Sequence, residues 1–97
     1  MKLIGRRKRE GAEKATLRLD GEVTIYTVGK LHGFLAGELR EYESLSLDLS
    51  GVKMFDSAGF QLLLAVACEA GRVNREFAIL GKSEEVERIL SLYNVSW

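Results

Sequence analysis

Apolar and polar residues alternate in four stretches, and helix-spaced apolar stripes lie between and after them. Ala15, Leu17 and Leu19 alternate with Thr16, Arg18 and Asp20, which predicts a half-buried strand. Gly21 turns or bulges the chain, and Val23 and Ile25 resume the alternation against Thr24 and Tyr26. A second strand is expected there, paired with the first as a hairpin. Leu31, Phe34, Leu35, Leu39 and Tyr42 then recur at helical spacing and form one face of a helix. Gly33 and Gly37 interrupt that helix at a cost of about 1 kcal/mol each against alanine, so close packing is the expected reason for them. Leu45, Leu47 and Leu49 alternate with Ser46, Asp48 and Ser50 in a third strand.

The stretch from Ser57 to Ala70 is apolar nearly all round and is expected to be the most buried helix. Phe60, Leu63, Leu64 and Ala67 are placed on its core side, Cys68 reads as a small core residue, and Gly71 fits its C-terminal cap. Phe77 and Ile79 alternate with Glu76 and Ala78 in a fourth strand. Ser83 caps a last helix that carries Glu84, Glu85 and Glu87 in its first turn, where the helix dipole favours negative charge. Val86, Ile89, Leu90 and Tyr93 form its apolar stripe, and the final residues, NVSW, are read as a short closing strand. The order is ββαβαβα. Strands separated by helices pair in parallel through right-handed crossovers. Strands covered on both faces should be apolar throughout; here the first and third alternate, so the helices belong on one face. The expectation is an α/β domain with a four- to five-stranded mixed sheet.

Charge divides the chain where hydropathy does. Residues 1–14 hold Lys2, Arg6, Arg7, Lys8, Arg9 and Lys14 against Glu10 and Glu13, while residues 15–97 carry eight Lys/Arg against twelve Asp/Glu. Residues 1–14 are therefore read as a basic, flexible lead-in and 15–97 as one complete folded domain. A mildly acidic domain argues against direct nucleic-acid binding. The single cysteine excludes an internal disulfide and any cysteine-cluster zinc site, and points to a reducing, cytoplasmic setting. The longest apolar run, Leu62 to Cys68, is seven residues, against the ~20 needed to span a bilayer. The N-terminus has a positive start but no apolar core, so neither membrane insertion nor a signal peptide is expected.

Catalytic equipment is sparse. His32 is the only histidine and falls off the apolar stripe, which makes it a surface residue. There is no HExxH, phosphate-binding loop, GxGxxG or GxSxG. Asp48 and Asp56 bracket one strand and loop; a Mg²⁺-holding acidic pair is one reading, and a strand aspartate plus a cap aspartate is the simpler one. No catalytic residue, metal or cofactor is expected. Ser57 stands out by position, because a strand and a short loop hand over there to a helix N-terminus. Unpaired N–H groups and the helix dipole make such a place tolerant of phosphate. Capping alone also explains a serine beside an aspartate at a helix start, so both readings stand. Phosphorylation would be tolerated by the fold and would change the surface, and hence the choice of partner.

Leu47-Asp48-Leu49-Ser50-Gly51-Val52 followed by Phe55-Asp56-Ser57-Ala58-Gly59-Phe60-Gln61-Leu62-Leu63 resembles the central signature of STAS domains, the bacterial anti-sigma factor antagonists and their relatives. Gly21-Glu22-Val23-Thr24-Ile25-Tyr26 is similar to the family's second strand, and Lys82-Ser83-Glu84-Glu85-Val86 to the start of its following helix. The resemblance covers residues 15–97 and implies a partner switch. The unmodified domain would bind an anti-sigma factor that is also a serine kinase, releasing the sigma factor. The kinase would phosphorylate the serine of the Asp-Ser-(Ser/Ala)-Gly motif, here Ser57, the complex would dissociate, and a phosphatase would reset it. The domain is then a substrate and not an enzyme. Met54, Phe55, Asp56, Ser57, Ala58 and Gly59, with the outward side of the following helix, would form the interface. The same resemblance implies an alternative: a STAS subunit of a lipid-transport ABC system, held by the ABC transporter ATPase, or of a chemosensory cluster, binding its partner constitutively.

Overall fold

A computed structural model describes residues 6–9 and 14–95 of the chain. The elements run β1 (Arg6–Arg9), β2 (Lys14–Val23), α1 (Val28–Glu41), β3 (Ser44–Phe55), α2 (Ser57–Arg72), β4 (Glu76–Lys82) and α3 (Glu84–Leu92). The sheet order is β1-β2-β3-β4. β2, β3 and β4 are parallel, and β1 adds a short antiparallel edge, Arg6 opposite Arg18 and Arg9 opposite Ala15. Four or five strands were expected; the body of the domain is instead three parallel strands and three helices, with β1 as the edge. Four residues of the expected lead-in, Arg6–Arg9, thus lie in the sheet, while residues 1–5 and 10–13 fall outside the described residues.

The expected hairpin does not form. Gly21 takes a φ of 96°, open to glycine without strain, and the register to β3 shifts between Arg18 and Asp20 and again between Gly21 and Glu22. The bulge lets one strand continue to Val23, opposite Phe55. The alternation read as a second strand therefore ends in a turn. Thr27 Oγ1 accepts from the Thr24 N–H at 3.0 Å, and the Thr27 N–H donates to the Thr24 carbonyl at 2.9 Å. Ile25 and Tyr26 ride on the outside of that turn, exposed. The closing strand is also absent at Asn94 and Val95; Ser96 and Trp97 lie outside the described residues.

One core joins the inward residues of the sheet to all three helices. Ala15, Leu17 and Leu19 from β2 and Leu45, Leu47 and Leu49 from β3 are buried, while their alternating neighbours are half-buried or exposed. Helices cover this one face, as the alternation predicts. α1 buries Leu31, Leu35 and Leu39, with Tyr42 beyond its end. Gly33 and Gly37 lie on its outer side, and a Cβ at either would meet nothing within 4 Å. Packing does not need them, contrary to expectation. Gly33→Ala is expected to raise stability by about 0.5–1 kcal/mol, read as a higher denaturant midpoint with unchanged slope; a lower midpoint would expose a backbone requirement.

α2 is rotated from its expected orientation. Gly59, Phe60, Leu62, Leu63, Val66 and Ala70 are buried, but Leu64 is 40% exposed, Ala67 only half-buried and Cys68 exposed. Between its ends only Gln61 and Glu69 mark polar positions along this helix, so its neighbours decide which of the remaining apolar residues face in. Nor does Gly71 end it: α2 runs to Arg72, and Asn74, at φ 58°, turns the chain while the Arg75 N–H donates to the Ala70 carbonyl at 2.8 Å. α3 follows its prediction, with the Ser83 hydroxyl accepting from the Val86 N–H at 3.3 Å and Val86, Ile89 and Leu90 buried. Tyr93 departs from it: half its surface is open, and its ring stacks on Phe60 with centroids 4.3 Å apart.

Candidate partner-binding site

Two turns meet at the C-terminal end of the parallel strands, and one carboxylate joins them. Asp56 is the N-cap of α2, and its Oδ1 accepts from the Gly59 N–H at 3.1 Å. Its Oδ2 accepts from the N–H of Ile25, in the β2–α1 turn, at 3.1 Å. Aspartate alone among good caps offers two acceptor oxygens without a donor. One oxygen satisfies an orphan helix N–H and the other holds the neighbouring turn. Asp48, on the open face of the sheet, has other company. The Ser50 hydroxyl and N–H, the latter at 3.0 Å, hold its carboxyl below the usual range, and Arg18 adds to the effect. The two aspartates therefore have the strand and cap roles, each with its own partners.

Gly59 explains why the motif needs glycine. A Cβ there would lie 2.6 Å from the Val23 carbonyl oxygen and 2.7 Å from the Phe55 ring. Backbone cannot swing aside as a side chain can. Gly59→Ala is expected to cost about 1–3 kcal/mol through overpacking, measured by chemical melting. A loss below half that range would mean α2 shifts freely against β2.

The expected interface residues separate into two groups. Met54 is 54% exposed, Ser57 is exposed, and Asp56 and Ala58 are half-buried. Phe55 and Gly59 are buried; Gly59 packs beneath the surface against Phe55 and Val23, and Phe55 reaches it only as part of a groove lining. Two residues of that surface went unassigned in the sequence: Ile25 is 63% and Tyr26 90% exposed. The available signal was two large apolar residues directly before a helix start, masked because they also fitted a strand alternation.

Two grooves lie at this surface, one lined in part by Ile25 and the other by Tyr26. The first, ≈ 310 Å³, lies between α1 and α2 and is lined by Ile25, Val28, His32, Ala58, Leu62 and Ala65 among others. Among the described residues its lining includes no Asp, Glu, Lys or Arg. His32 stands exposed on its wall, as a surface histidine was expected to. Ser57, the first residue of α2, directly precedes Ala58 of that lining. The second groove, ≈ 290 Å³, lies between the two turns and α3 and is lined by Tyr26, Met54 and Phe55 with Glu22, Glu85 and Arg88 around them. Among the described residues no helix is long and apolar enough to cross a membrane.

The family model described as "Mlab, STAS domain" matches residues 7–96. The chain belongs to the STAS domain family. Solved structures agree on the fold. This STAS domain is similar to an anti-sigma factor antagonist from Mycobacterium paratuberculosis, at 18% identity and a TM-score of 0.81 over 96% of this chain and 79% of that one. It is similar to the anti-sigma factor antagonist SpoIIAA in its unphosphorylated form, at 17% identity and a TM-score of 0.76 over 94% of this chain and 81% of that one. The phosphorylated form of SpoIIAA, a Bacillus cell fate determinant, matches at 16% identity and a TM-score of 0.72, over 93% of this chain and 83% of that one. At such identities the likeness is one of fold.

Proposed function

We propose that this STAS domain is an anti-sigma factor antagonist that works by partner switching at Ser57, in the cytoplasm. The observation that carries the reading is the setting of the hydroxyl: exposed, at the start of α2, next to Ala58 of a groove whose described lining has no Asp, Glu, Lys or Arg. An uncharged serine lets an anti-sigma factor serine kinase dock across that groove. A phosphoserine carries nearly two negative charges. The dipole of α2 tolerates them in the free domain, but burying them against a partner strips their water. The domain is thus a binding protein and a substrate, not an enzyme, and a phosphatase restores it. Purified domain, kinase and ATP, followed by mass spectrometry of the peptides, test this. Phosphate is expected on Ser57; phosphate elsewhere, or none, removes the switch.

A second reading is favoured by the description of the matching family model, Mlab, and by the uncharged groove itself. A STAS subunit of a lipid-transport ABC system, or of a chemosensory cluster, would use the same surface to hold its partner, the ABC transporter ATPase in the first case, without modification. Co-purification of the domain with such an ATPase, indifferent to phosphate on Ser57, would select this reading.

A further inference from the structure

The sheet has two edges, and they are built in opposite ways. A sheet edge presents unpaired N–H and C=O groups, and charged residues along it discourage pairing with another chain. β1 is such a guarded edge, since its four residues are Arg6, Arg7, Lys8 and Arg9. β4 is the other edge, and among the described residues no strand lies beyond it. Between Glu76 and Lys82 it reads Phe-Ala-Ile-Leu-Gly, without a charge or a proline. Its main chain is open as well. The Glu76 N–H donates to the Glu43 carbonyl at 2.9 Å, on the β3 side. Strand N–H groups alternate in direction, so those of Phe77 and Ile79 point away from β3, out of the sheet. The side chains of Phe77 and Ile79 face the core opposite Leu45 and Leu47. They stay half-buried where those two leucines are completely buried. The difference is a neighbour on the open side.

We propose that β4 pairs with the β4 strand of a second copy of this chain, antiparallel about a two-fold axis at Ala78. The register to β3 shifts after Ile79 and leaves Leu80 without a counterpart there, so the regular stretch is short and Ala78 lies at its middle. About that axis Phe77 stands opposite Ile79 of the second copy, and each such couple exchanges the main-chain hydrogen bonds that point outward. On the open face Ala78 meets Ala78 at a non-hydrogen-bonded position, where side chains come closest and a small one fits. Charge selects the direction. Arg75 and Glu76 stand at one end of the strand, Lys82 and Glu84 at the other. Antiparallel pairing brings Arg75 toward Glu84 of the second copy and Glu76 toward its Lys82; parallel pairing sets like beside like. Such an interface is the same patch on both copies, so it closes at two and does not grow into a fibre. No residue of β4 lines either groove at the Ser57 surface, and the pairing does not depend on the switch.

Sedimentation equilibrium of the full 97-residue chain, from micromolar to millimolar concentration, tests this. A reversible passage from monomer to dimer, and nothing larger, is expected. Hydrogen exchange followed by NMR should slow at the Phe77 and Ile79 amides as the dimer fills. Ala78 is exposed, so Ala78→Lys should melt like the unmodified chain at dilution. It should nevertheless weaken the dimer about tenfold, because it sets two cations face to face. Ala78→Cys combined with Cys68→Ser should give a covalent dimer on oxidation, since residues opposed at such a position lie within disulfide reach. A monomer at every concentration would leave the edge to a strand of some other chain and overturn the proposal. So would a dimer that Ala78→Lys leaves intact, that resists crosslinking through Ala78→Cys, or that protects the amides of β1 instead.

Discussion

Leu63→Ala is expected to remove about 2–5 kcal/mol of stability, enough to leave a domain of this size partly unfolded at room temperature. Leu63 is completely buried in the core that α2 shares with the sheet and the other helices. The lost methyl groups forfeit transfer free energy, and the tightly packed surroundings cannot collapse into the space. The next residue provides the control. Leu64, about 100° further round the helix, is 40% exposed, so Leu64→Ala should change stability by no more than about 0.5 kcal/mol. Urea melts of both variants decide the matter. Similar losses would mean that α2 sits in the core at another rotation.

Ser57→Asp is expected to lower affinity for the cognate kinase about a hundredfold, equivalent to about 2.8 kcal/mol, while the variant melts near the unmodified protein. The asymmetry follows from where Ser57 is. Exposed and at the start of α2, it adds no charge to the core, and the dipole favours the carboxylate by about 0.3–1 kcal/mol. Across an interface the same carboxylate must give up its water beside an uncharged groove. Ser57→Ala, which cannot accept phosphate, should hold the kinase persistently in the presence of ATP. Surface plasmon resonance on immobilised kinase reads both. If Ser57→Asp binds as tightly as serine, the interface does not bury position 57 and the constitutive reading replaces the switch.

Much of this was legible along the chain because period and burial are coupled locally. Leu45, Leu47 and Leu49 point one way because strand residues alternate, and Leu31, Leu35 and Leu39 share a face because a helix turns every 3.6 residues. The cap at Ser83 is local as well, since a hydroxyl needs only the N–H three residues on. Asp56-Ser57-Ala58-Gly59 was legible as a junction between strand and helix, for the same reason. The errors fall where local patterns were degenerate. Gly21 signals a turn or a bulge equally well, and only pairing with β3 through to Val23 selects the bulge. In α2 only Gln61 and Glu69 interrupt the apolar run, too few polar positions to single out Leu64 as outward.

The sequence by itself determined that the domain is α/β, that its helices cover one face, that a strand leads into a serine at a helix start, and that it has little catalytic equipment. Those properties follow from spacing and residue type within about ten positions. Only the tertiary structure decided the rest. It turned Leu64 and Cys68 outward, placed Arg6–Arg9 on the sheet edge, and brought Ile25 against Asp56 across 31 residues of chain. That last contact makes the surface. A carboxylate that reads locally as a helix cap uses its second oxygen to hold a distant turn, and residues of that turn and that cap line two grooves. No periodicity encodes such a meeting, because it depends on how parallel strands bring separate connections to the same end of the sheet.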